Sequence, residues 1–454
     1  MTARSAAIAA TKFGLGARPG ELDTVGGDGA DWLIGQIESK GSAALDGPGL
    51  AASRDIFIEL SQNLSDRRKA QEAKGDEAID RSQLMALFAV YRREMEARIE
   101  KAVTTATPFV ERLVHFWSNH FTVSGVNPIV ANLAGVFERE AIRPHVTGRF
   151  VDMLTAVVRH PAMLIYLDNA QSVGPKSPGG RRIGRGLNEN LAREVLELHT
   201  VGVDGGYGQG DVTEFAKALT GWSLGRPDGR FGGEPGRFIF RELAHEPGPR
   251  TVMGETYADG GMDQASAILD DLAHHPSTAQ FVALKFARHF VSDEPPSALV
   301  DRLADTFLKS GGNLKALAID LVKADEPWQA ALAKLKTPNE FLASALRMLA
   351  LDSVADRKVV ESLTLLGQRP FFAPSPAGWP DRAEDWAGPD ALKKRLEWST
   401  AVAARLPAGA DPATLGEAVL GPLLSPQSRE AIARAESNAQ GMALLLMSPE
   451  FQRR

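Results

Sequence analysis

The feature that most restricts this chain is the spacing of its apolar residues, which recur at three- and four-residue intervals over most of its length. Between Asp80 and Val103, the residues Leu84, Leu87, Phe88, Tyr91, Met95 and Ile99 share one side of a helix, and Arg92, Arg93, Glu94, Glu96 and Arg98 occupy the other. The same pattern predicts helices over Asp31–Ile37, Pro108–Phe121, Asn127–Arg143, Phe150–Arg159, Met262–Ala273, Ala279–Val291 and Ala298–Leu308. Several helix starts are explicit. Thr337-Pro338-Asn339-Glu340 combines an N-cap, a proline at the first helical position and a capping-box glutamate. Asp211-Val212-Thr213-Glu214, Ser425-Pro426 and Ser448-Pro449 are further starts.

Strand patterns are few. Arg237-Phe238-Ile239-Phe240 and Arg250-Thr251-Val252-Met253 are expected to pair as a small hairpin. Strands do not alternate with helices, which argues against a doubly wound sheet. The expected fold is mainly α: a large multi-helix single domain over residues 1–454, with a minor β-hairpin inserted near 225–255.

Composition narrows the function. With 44% hydrophobic residues, the chain can bury a large core. Its net charge of −6 gives no overall attraction to nucleic acid or anionic lipid, so any anion binding must come from a local patch. Cysteine is missing from the sequence, which removes disulfides, thiolate metal sites and cysteine nucleophiles. The first residues show no export leader and no stretch reaches the roughly 18 apolar residues of a membrane span. A cytoplasmic protein is the expectation, with periplasmic residence by co-export as the alternative.

Attention falls on Leu187–His199, where carboxylates, an arginine and a histidine crowd one predicted helix, 188–200. Glycine-rich loops flank it at 169–186, 202–210 and 221–236; the first and third exceed ordinary connection lengths, as functional loops often do. Another irregular stretch, Pro370–Pro389, carries Phe371, Phe372, Trp379 and Trp386 and is too aromatic for a flexible linker, so it is expected to pack down.

Longer motifs also stand out: Phe116-Trp117-Ser118-Asn119-His120-Phe121, His160-Pro161-Ala162-Met163 and Tyr166-Leu167-Asp168-Asn169. Next come Asn188-Glu189-Asn190-Leu191-Ala192-Arg193-Glu194, Leu196-Glu197-Leu198-His199-Thr200 and Leu219-Thr220-Gly221-Trp222. The series closes with Pro374-Ser375-Pro376-Ala377-Gly378-Trp379-Pro380 and Ser448-Pro449-Glu450-Phe451. On these residues the chain resembles the bacterial family called domain of unknown function 1800, over nearly its whole length. Members of that family resemble exported proteins encoded beside a second family, domain of unknown function 1501, which is sulfatase-like and frequently carries a twin-arginine signal. The resemblance therefore implies a sulfatase-like partner. Where relatives commonly show His-Asp, this chain has His245-Glu246, which retains a carboxylate.

The candidate chemistry divides into three groups. On the central helix, Asn190, Arg193, Glu194 and Glu197 share a face. They form either a solvated stripe of weak ion pairs or an acid/base cluster of Glu194, Glu197 and His199, with Arg193 holding an anion. On the helix 109–121, Glu111 and His115 at i, i+4 are candidate ligands for a divalent metal, although the glutamate-x-x-histidine spacing of bundle metal sites is missing. His120 lies among Leu113, Phe116 and Trp117, the position of a core histidine. Arg181, Arg182 and Arg185 form a basic loop that feeds the central helix and suits an anion, or is simply solvated. Asn119, His120, Asp168, Asn169 and His245 complete the candidate ligand-binding set.

Two functions follow as expectations. The first is a binding or accessory protein acting with the sulfatase-like partner through an anion-binding cleft around residues 160–250. The alternative is a hydrolase, metal-dependent in one version, acting on an anionic or glycan-derived substrate.

Overall fold

The computed structural model describes residues 2–74, 88–183, 186–329, 332–355, 357–405 and 410–454. Helices dominate, and two small antiparallel sheets of two strands each complete the fold. The elements that matter below are helices α1 (Ala89–Thr104), α2 (Pro108–His120), α3 (Pro128–Phe137), α4 (Pro276–Phe290) and α5 (Pro338–Met348). The strands are β1 (Trp222–Leu224), β2 (Phe238–Phe240), β3 (Arg250–Val252) and β4 (Glu255–Tyr257). In α1 the helix expected from Asp80 is described only from Ala89; Leu84 and Leu87 lie outside the described residues.

The written helix starts work as their chemistry requires. Thr337 caps α5 by accepting from the Glu340 amide, and Glu340 returns the bond to the Thr337 amide at 2.8 Å. Ser425 and Ser448 cap the helices that begin at Pro426 and Pro449. Asp211, expected to open a helix, sits one turn inside Gln209–Leu219, where its carboxylate accepts from the Gly208 amide at 2.7 Å.

Two apolar cores form. The first gathers Phe109, Leu113, Phe116 and Trp117 of α2, Leu133 and Phe137 of α3, and Val282, Phe286 and Phe290 of α4. The second gathers Phe341, Leu342 and Leu346 of α5 with Trp398, Leu445 and Phe451, and takes Tyr91, Met95 and Ile99 from α1. Helix α1 thus presents its apolar stripe to the second core and Glu94 to the π-turn that follows α3, where Arg139 pairs with it at 2.7 Å.

The strand expectation is corrected in its pairing. Phe238–Phe240 does not meet Arg250–Val252; it pairs with β1, and β3 pairs with β4. The β3–β4 hairpin turns on Met253 and Gly254, both with positive φ (48° and 88°), the two-residue geometry that matches strand twist. Met-Gly lacks the Asn-Gly or Asp-Gly signature by which such a turn is read. β1 escaped notice because all three of its residues are buried, so no alternation shows.

Charge is buried as well as apolar surface. Arg143 binds Glu111 through two bonds of 2.6 and 2.8 Å and Glu138 at 2.8 Å, and Arg98 reaches Glu138 at 2.7 Å. Burial alone would push Glu111 up, but Arg143 holds it well below the ordinary carboxylate range. Replacing Arg143 by Met would leave the enclosed Glu111 without its arginine and Glu138 with Arg98 alone. Urea unfolding followed by tryptophan fluorescence should show a loss of about 3–5 kcal/mol; a loss below about 1 kcal/mol would mean that water reaches the cluster.

Candidate functional site

A cavity of about 360 Å³ opens where the two cores meet. Its floor is the carboxyl-terminal half of α2, one wall is the face of α4 carrying Lys285, Arg288 and His289, and a third side is the first turn of α5. The segment 368–385 closes it from above. That segment is the aromatic, proline-rich stretch expected to pack down. Ser124 bonds the Ala373 carbonyl at 2.8 Å and the Gly125 amide bonds the Phe371 carbonyl at 2.8 Å. Both amide atoms of Asn119 are taken by the Trp379 backbone, at 2.8 and 2.9 Å. Gly378 makes this approach possible: its φ is +85°, and a Cβ there would lie 2.5 Å from the Asn119 carbonyl oxygen.

The lining is cationic. Arg98, Arg112, Lys285, Arg288 and Arg382 face Glu340, Asp381 and Asp385, so five cations stand against three carboxylates in a chain whose overall charge is −6. Two of the carboxylates are already engaged. Glu340 pairs with Arg112 at 2.7 Å and Arg454 at 2.9 Å, and Asp381 pairs with Arg454 at 3.2 Å and His289 at 3.0 Å, with Lys334 close by. Arg288 donates only to the Asp293 carbonyl, at 3.1 Å. Lys285 has no hydrogen bond or ion pair among the described residues; its ammonium lies 5.3 Å from the Phe281 ring. Burial, opposed by Asp381 and reinforced by Arg288, lowers the Lys285 ammonium to about 8.

Three histidines also line the cavity. His289 accepts or donates at Nδ1 to Asp381, according to its tautomer, while its buried Nε2 has no protein partner. With Asp381 ionised, the Nδ1–H tautomer is the one that satisfies this contact. Burial, opposed by Asp381, lowers His289 to about 4. His120 touches the His199 carbonyl through Nε2 at 3.1 Å, among the rings of Trp117 and Phe121. Burial, then Lys285 and His199, push His120 well below its ordinary value. His115 stands 3.5 Å from Glu111, as their spacing predicts. Both Glu111 oxygens, however, already serve Arg143, and among the described residues no group of three or more metal-ligating side chains comes together.

The residues singled out between 160 and 250 lie elsewhere; none of them lines this cavity. The central helix is shorter than its pattern suggests: an α-turn over Asn190–Glu194 runs into a π-turn over Val195–His199. Asn190 is exposed, and Arg193, Glu194 and Glu197 are half-buried. Arg193 reaches Glu189 at 3.2 Å and Gln209 at 2.8 Å, and Tyr207 donates to Glu197 at 3.1 Å. The polar stripe therefore pins the glycine-rich loop 202–210. Burial, and next Glu197, push the Glu194 carboxyl up. His199 is fully buried, and neither of its ring nitrogens has a hydrogen-bond partner among the described residues. Burial and Lys285 lower it to about 3.

Other candidates tie loops together. Asn169 donates to the Leu219 and Trp222 carbonyls at 3.2 and 3.0 Å. His245 bonds the Thr220 carbonyl at 2.9 Å, and Glu246 accepts from the Lys176 amide at 2.6 Å. Asp168, Arg181 and Arg182 are exposed, and Arg185 lies outside the described residues. Sequence reasoning overlooked Lys285, Arg288, His289 and Asp381. The available signal was Phe281, Lys285 and His289 at four-residue intervals, a cation and an imidazole in line with an aromatic on a helix otherwise read as core.

The profile of a family described as a protein of unknown function, DUF1800, matches residues 8–453. The chain belongs to that family. Comparison with curated proteins and with solved structures returned no match to either.

The buried histidines make acid stability a test of the site. His199 and His289 have folded values of about 3 and about 4 against an ordinary 6.5, so the unfolded chain binds more protons between those limits. Their contribution is complete above about pH 6.5 and is lost as pH falls toward 4 and 3, by about 1.4 kcal/mol per pH unit for each histidine. Urea midpoints measured from pH 7.5 to 4.5 should fall with pH, and less steeply in His199→Gln. An equal slope in the variant would show that His199 is hydrated in the fold.

Proposed function

We propose that the chain is a binding protein for a small anion, a carboxylate, phosphate or sulfate, held in the cavity between α2 and α4. One observation carries this reading. Lys285 and Arg288, both half-buried, project from one helix into the cavity and have no carboxylate partner among the described residues, whereas the enclosed carboxylates Glu340 and Asp381 are paired with other groups and Asp385 is exposed. A partly desolvated cation without a direct counter-ion is costly, and an incoming anion relieves that cost. The volume suits a small metabolite rather than a polymer. This places anion binding at 98–123, 285–289, 337–340 and 368–385 rather than in a cleft at 160–250. The family resemblance adds a sulfatase-like partner as the protein beside which such a binder would act.

A second reading, hydrolysis of an anionic ester, is favoured by one contact. Asp381 orients His289 through Nδ1 and leaves Nε2 pointing away from any protein partner, the arrangement of a general base.

Thermal unfolding in sodium sulfate, phosphate and succinate, at constant ionic strength made up with chloride, tests the binding reading. At least one anion should raise the transition in a saturable way. Arg288→Ala should weaken its apparent affinity by about tenfold or more, the scale of one charge-assisted hydrogen bond. No saturable shift with any of the three, or an unchanged shift in the variant, would overturn it.

A further inference from the structure

We infer that Lys285 is a nucleophilic amine that condenses with the carbonyl group of an anionic substrate, an aldehyde or ketone bearing a carboxylate, to form an imine inside the cavity. The inference rests on the anion-binding reading and names the class of molecule that the cavity would take.

Four observations converge on it. The first is the isolation of Lys285: in contrast to the paired cations Arg98, Arg112 and Lys334, it has only an aromatic ring for company among the described residues. A lysine used for structure is ordinarily anchored to a carboxylate or a carbonyl, as Lys334 is to Asp293. The second is its half-buried place in a cavity it shares with Arg288, one turn away. Burial and Arg288, opposed by Asp381, bring the ammonium down to about 8, so roughly a tenth is neutral at pH 7. The third is what surrounds it. Arg288 has no carboxylate partner with which to compete for the substrate's own carboxylate. The fourth is a proton carrier on the same helix face: His289 follows Lys285 by four residues, lines the same cavity, and has a buried Nε2 without a partner.

The chemistry balances without a further reagent. The neutral amine's lone pair forms the C–N bond as the carbonyl π pair moves to oxygen, which takes up a proton. The amine nitrogen gives up its protons, the carbinol oxygen leaves as water, and the C=N bond closes. Both hydrogens of the water come from the original amine, with the imidazole of His289 as the group placed to relay them. Protonation of the imine restores a positive charge at the position of the ammonium.

The test is borohydride trapping on the full chain. Protein is incubated with glyoxylate or pyruvate at pH 7.5, reduced with sodium borohydride, and mapped by peptide mass spectrometry. Lys285 should carry the reduced adduct on the order of tenfold faster than surface lysines, because its larger neutral fraction outweighs its lower intrinsic nucleophilicity. An anion that shifts the unfolding transition should slow labelling, and propanal, which has no carboxylate, should label Lys285 more slowly than glyoxylate does. Lys285→Arg should leave only the surface background. Mapping of the wild-type protein stands independently of whether that variant folds. If an anion stabilises the protein but Lys285 is labelled no faster than surface lysines, the imine inference fails and the binding reading stands. If no anion stabilises the protein, the binding reading fails, and the inference fails with it.

Discussion

Glu340 is the charge around which this molecule is arranged. It caps α5 through Thr337, so its position is set by local helix chemistry before any tertiary contact forms. Its two oxygens then take Arg112 from α2 and Arg454 from the far end of the chain. Arg454 extends the network to Asp381 and the His289 carbonyl, joining the closing segment and α4 to the same centre. Burial alone would push Glu340 up, but the two guanidinium groups hold it well below the usual carboxylate range. A buried network of this kind contributes little net stability against an apolar replacement, yet losing one member is severe. Its effect is to set how the two apolar cores meet, which contacts between hydrocarbon side chains do without direction.

The cavity is a consequence of that junction. Two apolar surfaces joined through long charged side chains cannot close as tightly as two joined by leucines, and the space left is lined by the same charges. Pairing uses the carboxylates of Glu340 and Asp381, Asp385 is exposed, and among the described residues Lys285 and Arg288 make no ion pair. Stability and the proposed anion affinity thus draw on one distribution of charge. It also explains how a chain of net charge −6 presents a cationic cavity: the excess acid lies elsewhere, while Arg112 is buried and Arg98, Lys285 and Arg288 are half-buried around the space.

The conspicuous polar motifs between residues 160 and 250 hold loops in place. Glycine-rich loops lack side chains with which to bury themselves, so polar groups from neighbouring helices hold them down. Glu197 takes Tyr207, Asn169 takes two carbonyls, and His245 and Glu246 hold Thr220 and Lys176. Dense polar sequence beside glycine thus supplies loop anchoring here, with Asn169, His245 and Glu246 buried as they do so.

What the sequence determined by itself was local. The three- and four-residue apolar spacing, the proline starts with the Thr337 capping box, and the aromatic weight of 370–389 depend on neighbours within a few residues. They recur in the structure, although the Asp211 start lies inside its helix and residues before Phe88 in the first long stripe are not described. The contact of Glu111 with His115 and the apolar surroundings of His120 were legible for the same reason. Tertiary structure alone decided which charges are paired. Arg143 claims Glu111, Glu340 claims Arg112 across 228 positions, and Lys285 makes no ion pair among the described residues. Pairing of charges depends on distance in space and on the dielectric around them, and neither is carried by the order of residues along a helix.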